Sequence, residues 1–346
     1  MTPVRSGSGP EAARIMLVGE AFGEEEERHG EPFIGTSGLE LNRMLNEAGI
    51  LRSECYVTNV VNARPAGNNL DSWIAAKVKD RTPDHTEVDG KWVLPIVLAG
   101  IASLKREIEM IRPRLIIALG GTPLWALTGL NGILKWRGSL LTYGGPGGPI
   151  RLVPTYHPAY VLRVWSDRSD AVHDLRRAAG ELERPVPQPP WRFATTPTFP
   201  DVVARLECFW RELDAGTELW LDLDLETRAG HIRCCGLSWS RLDAISIPFT
   251  RGAGPYWDIE QETDIIWLLY KVLTHPLVRV RWQNGLYDAQ YIYRHWLFVP
   301  RGVQDTMISQ HTLWAGKRKA LDYQASLYCD HYVNWKPDKG EWKEGG

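Results

Sequence analysis

The chain has 346 residues, 44% of them hydrophobic and 24% charged, with a formal net charge of −2. That length exceeds one ordinary core and favours two domains, the composition excludes a disordered chain, and the near-neutral charge excludes a global pull toward polyanions. No apolar run is long enough to span a bilayer, the start lacks a signal-peptide pattern and the five cysteines hold no C-x-x-C pair, so a reducing, cytoplasmic setting is expected.

In chain order, "RIMLVGE", "CYVTNVV", "RLIIALG" and "RLVPTYH" are short apolar runs that read as buried strands. A helical stripe begins near Thr36–Ser37 with Leu41, Met44 and Leu45, and a second helix, "LAGIASLKREIEMI", leads into the third strand. Strand–helix alternation of this kind predicts an α/β layer fold with a largely parallel sheet. The intervening "DSWIAAKVKDRTPDHTEVDGKW" is polar and reads as a surface insertion. Loops at the carboxyl ends of parallel strands are where such sheets bind ligands. Three fall there: "VGEAFGEEEERHGEPFIGTSG" (18–38), "TNVVNARPAGN" (58–68) and "PTYHPAYVLR" (154–163). The first alone is compatible with an ordinary acidic surface loop.

The six prolines of "ERPVPQPPWRFATTPTFPD" lock φ and remove amide donors, so 184–201 is expected to be an extended linker between domains 1–183 and 202–346. Beyond it come strands at 218–227, "IRCCGLSWS" and "AISIPFT". A helix at 259–274, the strand "VRVRWQN" and helices near 286–296, 305–315 and 321–331 follow. Within "LDLDLET" (221–227), alternation puts Asp222, Asp224 and Glu226 on one face and three leucines on the other. Carboxylates two positions apart stand about 6.6 Å from each other. At an effective dielectric of about 20 they repel by roughly 2–3 kcal/mol per pair. Either the acids simply face water, or a divalent cation turns the repulsion into attraction.

The three loop motifs, in order over about residues 14–180, resemble the uracil-DNA glycosylase superfamily, specifically its iron–sulfur family-4-like branch. The resemblance implies an α/β/α sandwich in which Phe33 stacks on an extruded uracil and Asn59 hydrogen-bonds its Watson–Crick edge. It also implies that His157 donates to a uracil carbonyl oxygen as charge develops on the leaving base. Glu20 and Glu26 match acids that orient water or stabilise a cationic sugar, and Arg163 with the helix starts would hold phosphates. Two positions depart from the pattern: Phe22 stands where the family has proline, and Ala63 where it has a cluster cysteine. With the other cluster cysteines also missing, no iron–sulfur cluster is expected.

The second domain resembles the proofreading 3′–5′ exonuclease of family A DNA polymerases, a ribonuclease-H-like mixed-sheet α/β fold of the DEDD type. Asp224 and Glu226 match its first motif, and "NGLYD" matches its second, supplying Asp288 with Asn284 and Tyr287 as companions. The resemblance implies Mg²⁺ or Mn²⁺ held by Asp224, Glu226 and Asp288 for in-line attack of water on a phosphodiester. The fourth acid, expected in a Tyr-x-x-x-Asp motif, has no match; Asp330, Asp338, Glu341 and Glu344 are candidates out of context. "VHDL" (172–175) is similar to a polymerase palm motif, but it lies in the first domain and is read as coincidence.

Together these readings imply a DNA replication or repair protein of phage or bacterial origin, residing in the (host) cytoplasm. Its partners would be uracil-containing DNA, 3′ single-stranded ends and a polymerase domain or chain; no membrane is implied. Two alternatives stay open: a non-catalytic DNA-binding accessory, and a nucleotide-processing hydrolase using only the first domain.

Overall fold

The computed structural model describes residues 7–335 except 76 and 253. They form two compact units, one of 7–187 together with 325–335, the other of 188–324. The first unit is thus discontinuous in sequence, and it includes a stretch that the sequence-based division places in the C-terminal domain.

The first unit runs β1 (Ile15–Ala21), α1 (Glu24–His29), α2 (Thr36–Glu47), β2 (Cys55–Val61), β3 (Ile74–Ala75), β4 (Thr86–Val88), β5 (Lys91–Val93) and α3 (Pro95–Ile111). It continues with β6 (Leu115–Leu119), α4 (Gly121–Thr128), α5 (Ile133–Trp136), β7 (Leu141–Tyr143), β8 (Ile150–Thr155), α6 (Pro158–Arg163) and α7 (Arg168–Glu183). The main sheet has the order β2-β1-β6-β8-β7; the first four strands are parallel and β7 is antiparallel. The strands read as unbroken apolar runs because both faces are covered. Met16 and Val18 pack with Ile101, Leu104 and Trp125 of α3 and α4. Ile15 and Leu17 pack with Leu41, Leu45 and Leu175 of α2 and α7.

The polar stretch 71–92 is more than a surface insertion. Its β3, β5 and β4 form an antiparallel sheet, and Ile74 and Val93 enter the core. Lys91 lies over the Trp125 ring, 4.7 Å from its centroid.

The second unit contains β9 (Arg192–Ala194), α8 (Phe199–Asp214), β10 (Leu219–Arg228), β11 (His231–Ser238), β12 (Asp243–Pro248) and the short pair β13 (Thr250–Arg251) and β14 (Gly254–Pro255). Then come α9 (Ile259–Leu273), β15 (Val278–Trp282), α10 (Leu286–Trp296), β16 (Gln304–Asp305) and α11 (Thr306–Leu313); α12 (Leu321–Tyr328) carries the chain back to the first unit. The mixed sheet has the order β16-β15-β10-β11-β12-β9. Leu221, Leu223 and Leu225 pack on α8 and α9 through Leu206, Phe209, Ile265 and Leu269.

Part of the proline-rich segment is ordered by pairing and capping rather than left as a linker. Residues 192–194 join the sheet edge, where Arg192 pairs with Asp243 at 2.6 Å. Thr198 caps α8 in a capping box with Asp201, and Pro200 sits in the first turn, where its missing N–H is no loss. Among the described residues no helix is long and apolar enough to cross a membrane.

Candidate functional site

In the first unit, strand order reverses direction between β1 and β6, and an open α/β sheet offers its ligand crevice at the carboxyl ends flanking such a point. Four strand ends supply the candidate residues: Glu20 from β1, Asn59 from β2, the Gly120–Thr122 turn after β6, and His157 just past β8.

Asn59 lies opposite Gly19 in the strand register and is 3% exposed. Asn62 Oδ1 accepts from both its backbone N–H (3.1 Å) and its side-chain Nδ2 (3.3 Å), while Asn62 Nδ2 donates to Thr58 Oγ1. The amide plane is therefore fixed before any ligand arrives. Gly19 makes room for the site: a Cβ there would stand 2.2 Å from Asn59 Oδ1 and 2.4 Å from the tip of the Phe33 ring.

Phe33 is buried and held in a left-handed backbone conformation at φ 58°, a strained choice for a residue with a side chain. The start of α2 presses against it, since a Cβ on Gly38 would lie 1.7 Å from the Phe33 carbonyl oxygen. Its ring centroid is 5.6 Å from that of His157. Asn59, Phe33 and His157 thus form one contiguous surface.

His157 is the N-cap of α6 and is partly exposed; its Nδ1 accepts from the Ala159 N–H at 3.1 Å. An accepting Nδ1 fixes the neutral tautomer with its proton on Nε2. Burial, reinforced by the charge of Arg163 and opposed by Glu26, brings the imidazole pKa down to about 4. Arg163 itself is exposed in the last turn of α6.

The two acids differ. Glu20 Oε2 accepts from Thr122 Oγ1 at 2.6 Å, and its charge opposes the burial that lowers the Lys91 pKa. Glu26 is buried, with one oxygen on the Gly23 N–H and the other on the Gly35 N–H, each at 3.1 Å. That carboxylate ties the two ends of the acidic loop together. Phe22 is buried, and its amide donates to the Ala63 carbonyl (3.1 Å); Ala63 packs with Leu70, Ile74 and Val93.

In the second unit, Asp224 and Glu226 are exposed on β10 with the leucines buried behind them. Asp222 is drawn off by a two-pronged ion pair to Arg281 (2.7 and 3.0 Å), its partner across the parallel ladder. Past residue 222, β15 no longer pairs with β10, and Asp288 from α10 fills the gap: its Oδ1 accepts the Leu225 N–H at 2.8 Å. The Asp288 carboxyl therefore reaches the strand between Asp224 and Glu226. Burial raises its pKa to about 6; the Leu225 hydrogen bond opposes this, and the charges of Asp224 and Asp305 add to it.

Asp305 is a site acid that sequence reasoning did not single out. It caps α11 and accepts from the backbone N–H groups of Asn284 (3.2 Å) and Gly285 (2.9 Å), fixing the loop that launches Asp288. Its one sequence signal is its place before a helix start, "QDTM". Asn284 adopts φ 58°, and Gly285 is obligatory because a Cβ would lie 1.9 Å from the Trp282 ring. Tyr287, 44% exposed, bonds Thr227 through its hydroxyl. A groove of about 440 Å³ runs along this strand face, lined by Asp222, Asp224, Gly236, Ser238, Ser246 and Arg281 among others.

Among the described residues no three His, Cys, Asp or Glu side chains stand close enough to share a metal ion. Asp330 lies in the segment that packs with the first unit, and Asp338, Glu341 and Glu344 lie outside the described residues.

The profile of the uracil DNA glycosylase superfamily matches residues 6–178. The type-4 uracil-DNA glycosylase of Thermotoga maritima is 33% identical over 187 residues, 53% of this chain and 85% of that protein. A DNA polymerase of Bacillus phage SP01 is 29% identical over 225 residues, 63% of this chain but 21% of that protein. Among solved structures, the catalytic core of RRP6 from Trypanosoma brucei is similar at 14% identity and a TM-score of 0.32, covering 40% of this chain and 35% of that one.

Proposed function

The chain belongs to the uracil DNA glycosylase superfamily, a family of hydrolases, and from that premise we propose that its first unit recognises uracil in DNA and hydrolyses the N-glycosidic bond. The observation that carries this reading is the neutral imidazole of His157, proton on Nε2, beside the Phe33 ring and the pre-fixed Asn59 amide.

In this reading an extruded uracil stacks on Phe33, and Asn59 pairs with its Watson–Crick edge. As the C1′–N1 bond breaks, its electron pair passes to the base, and His157 Nε2–H donates to the carbonyl oxygen where that charge gathers. The neutral imidazole is aimed for the task, because Nδ1 is occupied by the Ala159 N–H and the one ring proton is left on Nε2 to stabilise the developing anion. Water adds at C1′. Glu20, anchored by Thr122, is assigned to orienting that water or stabilising the cationic sugar. Glu26 is assigned to holding the loop shut, since both its oxygens are already engaged. Arg163, exposed beyond His157, is assigned to a flanking phosphate.

The test is incubation with uracil-containing single-stranded DNA followed by alkali. Strand cleavage is expected from the native chain and its loss from Asn59→Ala; no cleavage from the native chain overturns the reading.

For the second unit we propose a metal-dependent 3′–5′ exonuclease module. Asp224, Glu226 and Asp288 would hold Mg²⁺ or Mn²⁺, with Asn284 and Tyr287 beside the 3′ end. Their hard oxygen donors suit such ions, and a cation would offset both the burial that chiefly raises the Asp288 carboxyl and the smaller repulsion from Asp224. A bound ion there would activate water and stabilise a leaving 3′ oxygen. Because no three acids converge among the described residues, binding would have to draw the exposed Asp224 and Glu226 toward Asp288. The same observation favours the rival reading, a unit that keeps its fold and binds DNA without cutting it. Labelled primer with Mg²⁺ or Mn²⁺, compared with an Asp224→Ala/Glu226→Ala control, decides between them. We further place the chain in DNA replication or repair, with a polymerase domain or chain as its working partner, a reading supported by its similarity to the phage polymerase.

A further inference from the structure

The "VHDL" motif takes no part in either site, yet its Asp174 is fully buried in the first unit. Its Oδ2 accepts from Arg137 Nε at 2.9 Å and from Thr155 Oγ1 at 2.8 Å, and its Oδ1 accepts from Arg137 Nη2. Thr155 is the last residue of β8, two positions before His157. Gly138, at φ 71°, lets the chain pass close by, for a Cβ there would stand 2.6 Å from Asp174 Oδ1. The Gly138 N–H donates to the Pro154 carbonyl (2.8 Å) and the Gly120 N–H to the Thr155 carbonyl (2.9 Å). The approach to His157 is therefore clamped from three directions.

The outer side of this clamp comes from the far end of the chain. Arg137, itself 1% exposed, donates through Nη1 to Ser326 Oγ at 2.9 Å. Arg177 bridges the Gly138 carbonyl (2.8 Å) and the Cys329 carbonyl (2.7 Å). The Leu140 N–H donates to the Tyr332 carbonyl at 2.7 Å, and the Asn334 N–H to Ser139 Oγ at 3.2 Å. Three of these bonds, at Arg137, Ser139 and Leu140, join segments almost two hundred residues apart, and Arg177 adds a bridge from Gly138 to Cys329. Together they hold the stretch 137–140, which in turn holds Asp174 and Pro154.

We infer that Asp174 is a positioning residue for His157, and that residues 325–334, which follow the second unit in the chain, complete the first unit by holding Arg137 on Asp174. A buried guanidinium keeps its geometry only while its donors are satisfied. Removing Ser326 or the Thr155 hydroxyl frees the end of β8 to shift, and with it the direction of His157 Nε2–H. A merely structural role would lower stability and leave His157's behaviour in the folded state unaltered. The catalytic part of this inference rests on the uracil-excision reading; the positioning part does not.

The experiment uses the full chain with ¹⁵N-labelled histidine. It compares Thr155→Val, which removes the hydroxyl at nearly constant shape, with Thr155→Ser, which keeps it, and with Ser326→Ala. Thr155→Val and Ser326→Ala are expected to move the His157 titration from about 4 toward the ordinary 6.5. Amide exchange over residues 156–163 is expected to quicken roughly tenfold. On uracil-containing DNA, kcat is expected to fall roughly ten- to a hundredfold with KM little changed, and Thr155→Ser to restore all three readouts. Should Thr155→Val fail to fold, Ser326→Ala carries the same measurements. Folded variants whose His157 titrates and exchanges as in the native chain overturn the inference. If the native chain excises no uracil but the titration and exchange still shift, the positioning role stands and the glycosylase reading falls.

Discussion

The first unit holds its candidate residues in a web of buried hydrogen bonds, whereas the second leaves two of its three carboxylates on an open strand face. Asn59 is locked by Asn62, Phe33 by a strained backbone under α2, and His157 by its own helix cap. Asp224 and Glu226 are exposed, and Asp288 is the one member of its set that is buried. The difference follows from the chemistry each arrangement suits. A neutral donor and an aromatic face can be pre-formed at little electrostatic cost, so the protein builds them rigidly. Three gathered carboxylates repel, so without a cation an open arrangement costs less than a pre-formed cluster.

The sharpest way to break that comparison is to remove the charge at the centre of the rigid unit. Arg137→Ala leaves Asp174 buried without its partner and is expected to destabilise the first unit by about 3–5 kcal/mol. Urea unfolding followed by hydrogen exchange in each unit checks it, with the second unit expected to hold steady within about 0.5 kcal/mol. Equal losses in both units would show that the pair serves the whole chain and not one site.

Next in size is His157→Ala, expected to slow uracil excision by about 10²–10³-fold, the usual loss for one donor to a developing oxyanion. Its pH dependence has a definite sign. Burial gives His157 and His173 folded pKa values of about 4 each, against 6.5 when free. Between those values the unfolded chain binds protons that the folded one refuses, so the stability of the first unit is full above pH 6.5 and falls as pH drops toward 4. Excision should stay level, as far as His157 is concerned, until the pH nears 5. A titration of activity centred near 6.5 would refute the neutral-donor assignment.

The parts of this molecule legible in its sequence are those written in side-chain periodicity or in ordered motifs. Strands covered on both faces must be apolar throughout, and β10, covered on one face, must alternate; both patterns are plain in "RIMLVGE" and "LDLDLET". Asn59 and His157 could be placed together from sequence because one lies near the carboxyl end of β2 and the other just past that of β8, at the same end of a parallel sheet. Where hydrogen bonds to backbone groups carry the structure, nothing periodic marks it. The three-stranded sheet within 74–93 rests on strand pairing, the tie between Gly23 and Gly35 on the Glu26 carboxylate, and the return of 325–335 to α7 on the Arg177 guanidinium and the Cys329 carbonyl. Asp174 was hidden for a related reason: a buried acid looks the same in sequence as an exposed one until its arginine is found 37 residues away.

In the second unit, Mg²⁺ is the natural probe. The Asp288 carboxyl, raised from 3.8 to about 6, binds its proton more tightly folded than unfolded. Its contribution to stability is therefore full below pH 3.8 and lost as pH rises through 6. At pH 7.5 a bound cation should restore it, giving about 1.4 kcal/mol of stabilisation at ten times its Kd. Asp288→Asn, which can still accept the Leu225 N–H, should be less sensitive to pH in this window and indifferent to Mg²⁺. Thermal unfolding with and without Mg²⁺ checks both, and a native chain unmoved by Mg²⁺ or Mn²⁺ would leave the second unit as a binding module.

The smallest effect is expected at Asp222, and it tests which acids belong to the ion. Asp222 shares a strand face with Asp224, so alternation alone cannot separate them. The structure does: Asp222 is spent on Arg281, in an exposed ion pair that contributes about 0.2–1 kcal/mol. Asp222→Asn should change stability by no more than that, lose its coupling in a double-mutant cycle with Arg281→Gln, and leave Mg²⁺ binding intact, whereas Asp224→Asn should abolish binding. If Asp222→Asn weakens Mg²⁺ as strongly as Asp224→Asn does, the ion sits further along β10, toward the groove lined by Asp222, Ser238 and Arg281, and Asp288 loses its place as a ligand.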